Sequence, residues 1–493
     1  MTAGSKQGAG ARAVTVAVGD GIGPEIVAAA LRVLGAAGAP IAPEFITVGQ
    51  EAYTRGITSG IPGDAWESIR RTGLLLKGPI TTPQGGGFKS VNVTLRKSLG
   101  LYANVRPCAA LAPYVPTRHP TMDLVIVREN EEDLYAGIEH RQTDEVMQCL
   151  KLITRPGCEK IVRYAFEYAR VHGRRKVTCM SKDNIMKLTD GLFHSVYDEI
   201  GAEYPQIEKE HLIIDIGAAR LADTPERFDV IVTGNLYGDI LSDIAAQIAG
   251  SVGMAGSANI GEHGAMFEAI HGSAPDIAGR DIANPSGVLM AAVLLLVHAG
   301  MPTVAAAIHN AWLRTLEEGI HTVDIFRSET SQRQVGTAAF ADAIIERLGQ
   351  LPQSLKPVDY AASATDAMTL SLPPYRRPAP LKKEIVGVDV FLHWCSGSTE
   401  ELAGLLGGIR SESMYLEMIT NRGVKVWPNG LPETFCTDHW RCRFKAVPSV
   451  GTIRHSDIVS LLAQVTGIGL DFIKSENLCC FDGEPGFQMG QGQ

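Results

Sequence analysis

AVTVAVGDGIGPEIVAAALRVLGAAG, residues 13–38, decides the fold class. Its opening run AVTVAV, residues 13–18, reads as a short buried strand. From Pro24 onward apolar residues recur at helical spacing, and proline suits the first turn of a helix, where its missing N–H has no partner to lose. A strand feeding a helix in this way implies an α/β protein. Gly19, Gly21 and Gly23 in the turn invite a dinucleotide-fingerprint reading, but that spacing requires glycine where Pro24 stands. The turn therefore reads as a structural strand-to-helix connection.

Outward from this unit, strand-like runs recur at LLLKG, DLVIVRE, KVTCMS, HLIIDI and FDVIVTG, mostly followed by helix-like segments such as RKSLGL, MKLTDGLFHSVYDEI and DILSDIAAQIAGSV. The sheet they build is expected to be at least partly parallel. Residues 135–155, YAGIEHRQTDEVMQCLKLITR, switch to short alternating stretches that suggest a strand pair forming an arm. Residues 351–383 are rich in proline, alanine and serine, the composition of an extended linker. Beyond them the order strand, helix, three strands, helix, strand suits a small α+β domain of ferredoxin-like type.

A length of 493 residues implies two or three domains, at roughly 150 residues each. Hydrophobic content of 45%, charged content of 20% and a mean hydropathy of +0.05 exclude a disordered, collagenous or coiled-coil chain. Against 45 Lys and Arg stand 54 Asp and Glu, a net charge of −9. No bulk positive field exists to bind nucleic acid or an anionic membrane, so an anionic ligand needs a local basic cluster. Nine scattered cysteines without a CxxC pair fit a reducing compartment. The apolar run at residues 288–300 is too short for a membrane span and reads as a buried helix. With no secretory signal at the N-terminus, the cytoplasm is the expected location, or a mitochondrial or plastid matrix if a transit segment has been trimmed.

Candidate chemistry begins in KGPITTPQGGGFKSVNVTLRKSLGLYANVRP, where the triple glycine at residues 85–87 leads into a helix whose first turns carry Ser90, Asn92 and Arg96. Helix starts attract anions. Asn92 and Arg96 share a face, and Lys89, Arg106 and Arg128 add positive charge, although each arginine alone could be a solvated surface residue. In NLYGDILSDIAAQ, Asp239 and Asp243 lie four apart on one helix face, where they repel. A divalent cation would compensate them, with Asp215 at the end of the HLIIDI strand as a third oxygen donor; the oxygen-only set suits Mg²⁺ or Mn²⁺. A helix cap and a solvated aspartate are the alternative reading of the same residues. EAIHGSAPDIAGRDIANPSG, residues 268–287, is long enough to wrap a ligand.

Taken in order, GDGIGPE, SVNVTLR, VRENEEDLYAGIE, SKDNIMKLTDG, NLYGDILSD and HGSAPDIAG closely resemble the β-decarboxylating family of isocitrate and isopropylmalate dehydrogenases, over residues 14 to about 348. The resemblance implies a two-domain α/β fold distinct from the Rossmann fold. A large domain at 1–101 and 250–350 would flank a small domain at 102–249 that includes the clasp arm. A linker at 351–383 and an α+β domain at 384–493 would follow; VGVDVF, NRG and RCRF resemble the C-terminal unit of the longer bacterial type.

The family further implies a homodimer, or a higher oligomer, whose active sites are shared between subunits. Arg96, Arg106 and Arg128 would hold substrate carboxylates, while Ser90 and Asn92 would bind the carboxylate that only a tricarboxylate carries. This favours isocitrate over homoisocitrate or isopropylmalate, because an apolar substituent would leave the hydroxyl and amide unpaired. Asp215, Asp239 and Asp243 would hold the metal, Lys182 would remove the hydroxyl proton and Tyr135 would protonate the product carbon, giving 2-oxoglutarate and CO₂. Retention of Tyr135, Lys182 and the carboxylates speaks against a non-catalytic regulatory subunit. Thr82, His271, Gly272, Ala274 and Asn284 would line the cofactor site. Asp276 and Ile277 stand where NADP-dependent relatives often carry lysine and tyrosine, so NAD is the expected cofactor, since a carboxylate repels a 2′-phosphate.

Overall fold

The computed structural model describes residues 10–82, 89–360, 372–409 and 411–490; the triple glycine and the middle of the expected linker lie outside them. The chain folds as two compact units, one running to Ala136 and taking up again at Lys151–Tyr375, the other formed by Gly137–Leu150 and the chain from Arg376 on.

In chain order the strands are β1 (Arg12–Ala17), β2 (Ile41–Ile46), β3 (Leu74–Lys77), β4 (Ala103–Ala109), β5 (Asp123–Glu129), the pair β6 (Glu139–Arg141) and β7 (Met147–Cys149), β8 (Lys176–Ser181), β9 (Glu208–Ile213), β10 (Val230–Thr233), β11 (Gly256–Ile260) and β12 (Ala265–Ala269). All except β6 and β7 join one sheet of the first unit, in the order β2-β1-β3-β12-β11-β4-β5-β10-β8-β9. Both wings are parallel, and β12, β11, β4 and β5 between them are antiparallel. The sheet is thus mixed, which separates it from a Rossmann fold.

The helices that matter to the site are α1 (Gly23–Ala36), α2 (Val91–Ser98), α3 (Ile214–Asp223), α4 (Asn235–Ala249) and α5 (Ser286–His298). Strands β3 and β10 are buried along their whole length, as parallel strands covered on both faces must be. The run read as a buried helix is α5, with Val288, Leu289, Val293, Leu295 and Leu296 in the core. Each such side chain contributes roughly 1.5–3 kcal/mol of hydrophobic stabilisation. Among the described residues no helix is long and apolar enough to cross a membrane.

The turn between β1 and α1 braces two neighbouring loops. Gly19 and Gly21 have φ of 75° and 58°, and a Cβ on either would sit 2.2 Å from the Pro79 carbonyl oxygen or 2.0 Å from that of Ser273. Only glycine fits there. The Asp20 carboxylate accepts from the Thr81 N–H at 2.9 Å, tying the same turn to the loop that leads toward α2.

The second unit carries β13 (Lys383–His393), α6 (Thr399–Gly407), β14 (Met414–Asn421), β15 (Val424–Trp427), β16 (His439–Ala446), α7 (His455–Gly467), β17 (Asp471–Phe481) and β18 (Glu484–Pro485). Its sheet is antiparallel throughout, in the order β15-β14-β16-β13-β17-β18, so the small α+β domain is present. The arm is present as the antiparallel pair β6 and β7. It is tied to this unit: Thr143 Oγ1 donates to the Asp438 carboxylate, and the Asp438 N–H donates to Glu145 at 2.9 Å. Residues at the start of the linker are held by the first unit, where the Asn310 side chain exchanges two 2.9 Å hydrogen bonds with the Val358 backbone.

Candidate active site

A row of polar side chains crosses the centre of the large sheet, where local periodicity alone would place only apolar residues. Lys77 on β3 stands directly opposite Glu268 on β12, and Asn259, Asn104 and Arg128 stand opposite one another across β11, β4 and β5. All are buried. Buried charges must be paired, and these are. Glu268 bonds Lys77 Nζ and Arg96, each at 2.8 Å. Burial opposes the ionised Glu268, yet the two cations hold its carboxyl well below the usual range.

α4 brings two carboxylates to this row. Asp239 pairs with Arg128 and lies 3.3 Å from Arg106, and it accepts a 2.5 Å hydrogen bond from the Tyr135 hydroxyl. Arg128 also donates to Asn235 Oδ1 through Nε at 3.0 Å, and its guanidinium lies 5.0 Å from the Tyr135 ring centre. Arg106 donates to Ser242 and stands 3.6 Å from Asp243. Burial, with Arg106 and Arg96 adding repulsion, pushes Arg128 down to about 9, which reports how tightly cations crowd here. Asp239 is held low despite its burial by Arg128 and Arg106, while burial, and the neighbouring Asp239, push Asp243 up. Burial and the Asp239 charge likewise raise the Tyr135 phenol, so it keeps its proton at neutral pH.

Lys77, Arg96, Arg106, Tyr135, Asp239, Asp243 and Glu268 line a polar cavity of about 370 Å³, together with Thr82, Ser90, Asn92, His271 and Gly272. Ser90 caps α2 by accepting from the Val93 N–H, and its hydroxyl meets Thr82 Oγ1 at 3.2 Å. Three buried polar atoms in the wall, Asn92 Oδ1, Arg96 Nε and His271 Nε2, have no hydrogen-bond partner among the described residues. A polar ligand would satisfy them. In the wall Lys77, Arg96 and Arg106 balance Asp239, Asp243 and Glu268, and Arg128, paired to Asp239 but outside the wall, brings the cluster to an excess of one positive charge. The oxygen-only donors Asp239 and Asp243 suit a hard divalent cation, which would raise that excess to three, the charge of a tricarboxylate.

The remaining expected cofactor residues lie in the loop after β12. Ala274 has φ 38°, Ile277 packs against the core, and Asp276 is exposed. Asn284 is fully engaged, donating to Asp324 at 3.0 Å and accepting from the Ser286 N–H at 3.0 Å.

Lys182 and Asp215 stand apart from this cavity. Their side chains form an ion pair with each other, Lys182 following β8 and Asp215 in the first turn of α3. The strand that was expected to run to Asp215 ends at Ile213, because IDIGAARLAD continues with apolar residues at helical spacing. The Lys182 N–H donates to the Asp190 carboxylate at 2.7 Å, and Asp190 lines a small pocket with Tyr237, which puts Lys182 on the Tyr237 side of α4. Tyr237 and Asp239 stand two positions apart, roughly 200° around the helix, so the Lys182–Asp215 pair lies behind the face carrying Asp239 and Asp243. Within one chain the three carboxylates do not converge.

Sequence reasoning missed Lys77, Glu268, Asn104 and Asn235, which position the arginines. A lysine closing the apolar run LLLK was the one local signal for Lys77; the others depend on strand register.

Residues 13–344 match the family model described as isocitrate/isopropylmalate dehydrogenase, and residues 383–493 match that of the bacterial isocitrate dehydrogenase C-terminal domain. The chain is 53% identical over 480 residues, 97% of its length and 99% of the relative's, to a protein from Rickettsia bellii named isocitrate dehydrogenase [NADP]. A Thermus thermophilus protein of the same name is 45% identical, covering 98% of this chain and 96% of its own. The crystal structure of the TT0538 protein, also from Thermus thermophilus, superposes with a TM-score of 0.90 at 44% identity, covering 98% of this chain and 96% of its own. The NADP in the names of these nearly full-length relatives overturns the expectation of NAD drawn from Asp276 and Ile277. The physical ground of that expectation was weak: the Asp276 carboxylate is exposed and screened by water, and Arg280 follows four residues on in the same loop.

Proposed function

The chain belongs to the isocitrate/isopropylmalate dehydrogenase family, and from that premise we propose that it oxidatively decarboxylates isocitrate to 2-oxoglutarate and CO₂, with NADP as hydride acceptor, in the cytoplasm. The observation that carries the choice of substrate is the cavity itself, with Lys77, Arg96 and Arg106 in its wall, Arg128 paired to Asp239, and three polar atoms unpartnered among the described residues. An isopropyl group against Ser90 and Asn92 would leave the hydroxyl and the amide N–H without an acceptor, whereas a third carboxylate would accept from both.

In this reading Arg96, Arg106 and Arg128 clamp the carboxylates, and Lys77 and Glu268 fix the angle of Arg96. Thr82, His271, Gly272, Ala274, Asp276, Ile277 and Asn284 border the dinucleotide. Asp239 and Asp243 of one chain, with Asp215 of the partner subunit, hold Mg²⁺ or Mn²⁺. When bound, the ion supplies a Lewis acid at the C2 oxygen and the nicotinamide supplies the hydride acceptor. The partner's Lys182 takes the C2 hydroxyl proton, and Tyr135, kept protonated by burial and by Asp239, delivers a proton to the carbon that loses CO₂.

The proposed reading includes a homodimer. Ile185 and Leu188 follow Lys182, Ile216 follows Asp215, Ile240 follows Asp239, and all four side chains are exposed. Apolar groups beside an exposed half-site suit a surface that a second copy covers. The reading is tested by initial rates on purified protein with Mg²⁺: isocitrate with NADP is expected to turn over, with isopropylmalate at least about 100-fold lower in kcat/KM. Equal rates with the two substrates would reject it.

A further inference from the structure

The six-stranded sheet of the second unit has one face that does not look like a protein core. Val388, Val390, Leu392, Cys442 and Phe444 point toward the helices and are buried. The alternate residues of the same strands, Asp389, Phe391, Arg441 and Arg443, share the opposite face, as their cross-strand pairing requires. On that face lies a cavity of about 300 Å³ whose wall includes Arg422, Arg441, His439 and Thr420, with Gln148 from the arm.

Its positive charge is under-compensated. Asp389 is held by Arg443 through two hydrogen bonds, at 2.8 and 2.9 Å, leaving Arg441 3.8 Å from a carboxylate already in use. Arg422 donates to the Phe435 carbonyl at 3.1 Å and has no carboxylate partner among the described residues. Glu476, the one acid in the wall, is paired with Lys474 at 2.7 Å. His439 Nε2 is buried without a hydrogen-bond partner among the described residues. The Arg441 side chain is 24% exposed with only a shared carboxylate at 3.8 Å, Arg422 is exposed without one, and an oxyanion bound between the two would supply the missing charge.

We propose that this cavity is a binding site for a small polyanion, a phosphorylated or polycarboxylate metabolite, held by Arg422 and Arg441 and hydrogen-bonded by His439, Thr420 and Gln148. Planar guanidinium forks recognise adjacent oxygens of either chemistry. Gln148 places the arm in the wall, and the arm begins two residues after Tyr135, so the ligand sits against the segment that continues from the catalytic tyrosine.

The test is equilibrium dialysis of the full-length protein with inorganic pyrophosphate and, separately, with tricarballylate, comparing wild type with Arg422→Gln and Arg441→Gln. One probe is expected to bind at a site whose affinity falls by about tenfold or more in each variant, with isocitrate turnover in the absence of probe unchanged. The probe that shows the loss identifies the ligand as phosphate or carboxylate. Binding of both probes with wild-type affinity and stoichiometry in the two variants, or no binding of either probe to wild type up to about 10 mM, overturns the proposal. Should Arg441→Gln fail to fold, Arg422→Gln decides alone, because its side chain lies at the surface.

Discussion

Arg128 is fully buried and held by Asn235, Asp239 and the Tyr135 ring, whereas Lys182, two strands away in the same sheet, has its ammonium paired to Asp215, a carboxylate that is mostly exposed. The buried half is complete in one chain because charges withdrawn from water must find partners during folding. Lys182 and Asp215 pair with each other, and the mostly exposed Asp215 leaves that pair open to water. On the proposed reading, the difference marks where the chain's own folding ends and assembly would begin. Asp239 faces one side of α4 and the Lys182–Asp215 pair the other.

The largest effect comes from removing one group from each half. Asp239→Asn and Lys182→Met should each lower kcat by roughly a thousandfold, losing charge stabilisation or proton removal. Dissociated together and reassociated, the two variants should recover about one quarter of wild-type activity, since half of randomly formed dimers are hybrids with one intact site of two. No recovery, in mixtures shown by mass to contain hybrids, would break the contrast between the halves.

Glu268→Gln sharpens the contrast from the side of stability. It strands Lys77 and Arg96 as unpaired buried cations, at a cost of about 3–5 kcal/mol, measurable by urea unfolding. Because the folded-state pKa of Glu268 is depressed, the wild-type advantage should be full above the unfolded value of 4.5 and fade as pH falls below it. Asp215→Asn, in the exposed half, should change stability by less than about 1 kcal/mol. Comparable losses in the two variants would contradict the distinction.

How much of this was legible in the sequence follows from the range of each signal. The alternation of strand and helix and the C-terminal α+β unit are local patterns, and they carry through to the structure. The α4 carboxylates were legible because a helix fixes which residues share a face. The Lys77–Glu268–Arg96 cluster was not, because it is assembled by register between strands far apart in the chain. Asp215 was expected on a strand, since HLIIDI has the composition of one; the helix begins at Ile214 because the apolar spacing beyond it prevails. Cofactor preference was read from a single exposed carboxylate, the kind of charge that contributes least.

A smaller effect tests the cavity rim. Asn92→Leu removes a buried amide whose oxygen lacks a partner and should lower kcat/KM for isocitrate by about 10- to 100-fold, with no loss of stability. Smallest of all, Asp276→Asn should lower the KM for NADP by less than about fivefold, as expected for an exposed charge.

The central claim is that carboxylates hold a divalent ion beside a tricarboxylate clamped by arginines. Isocitrate-dependent reduction of NADP, measured after exhaustive chelation and again after adding back Mg²⁺ or Mn²⁺, tests it most directly. The account predicts that activity is abolished by chelation and restored by either ion; full activity in the chelated protein would contradict it.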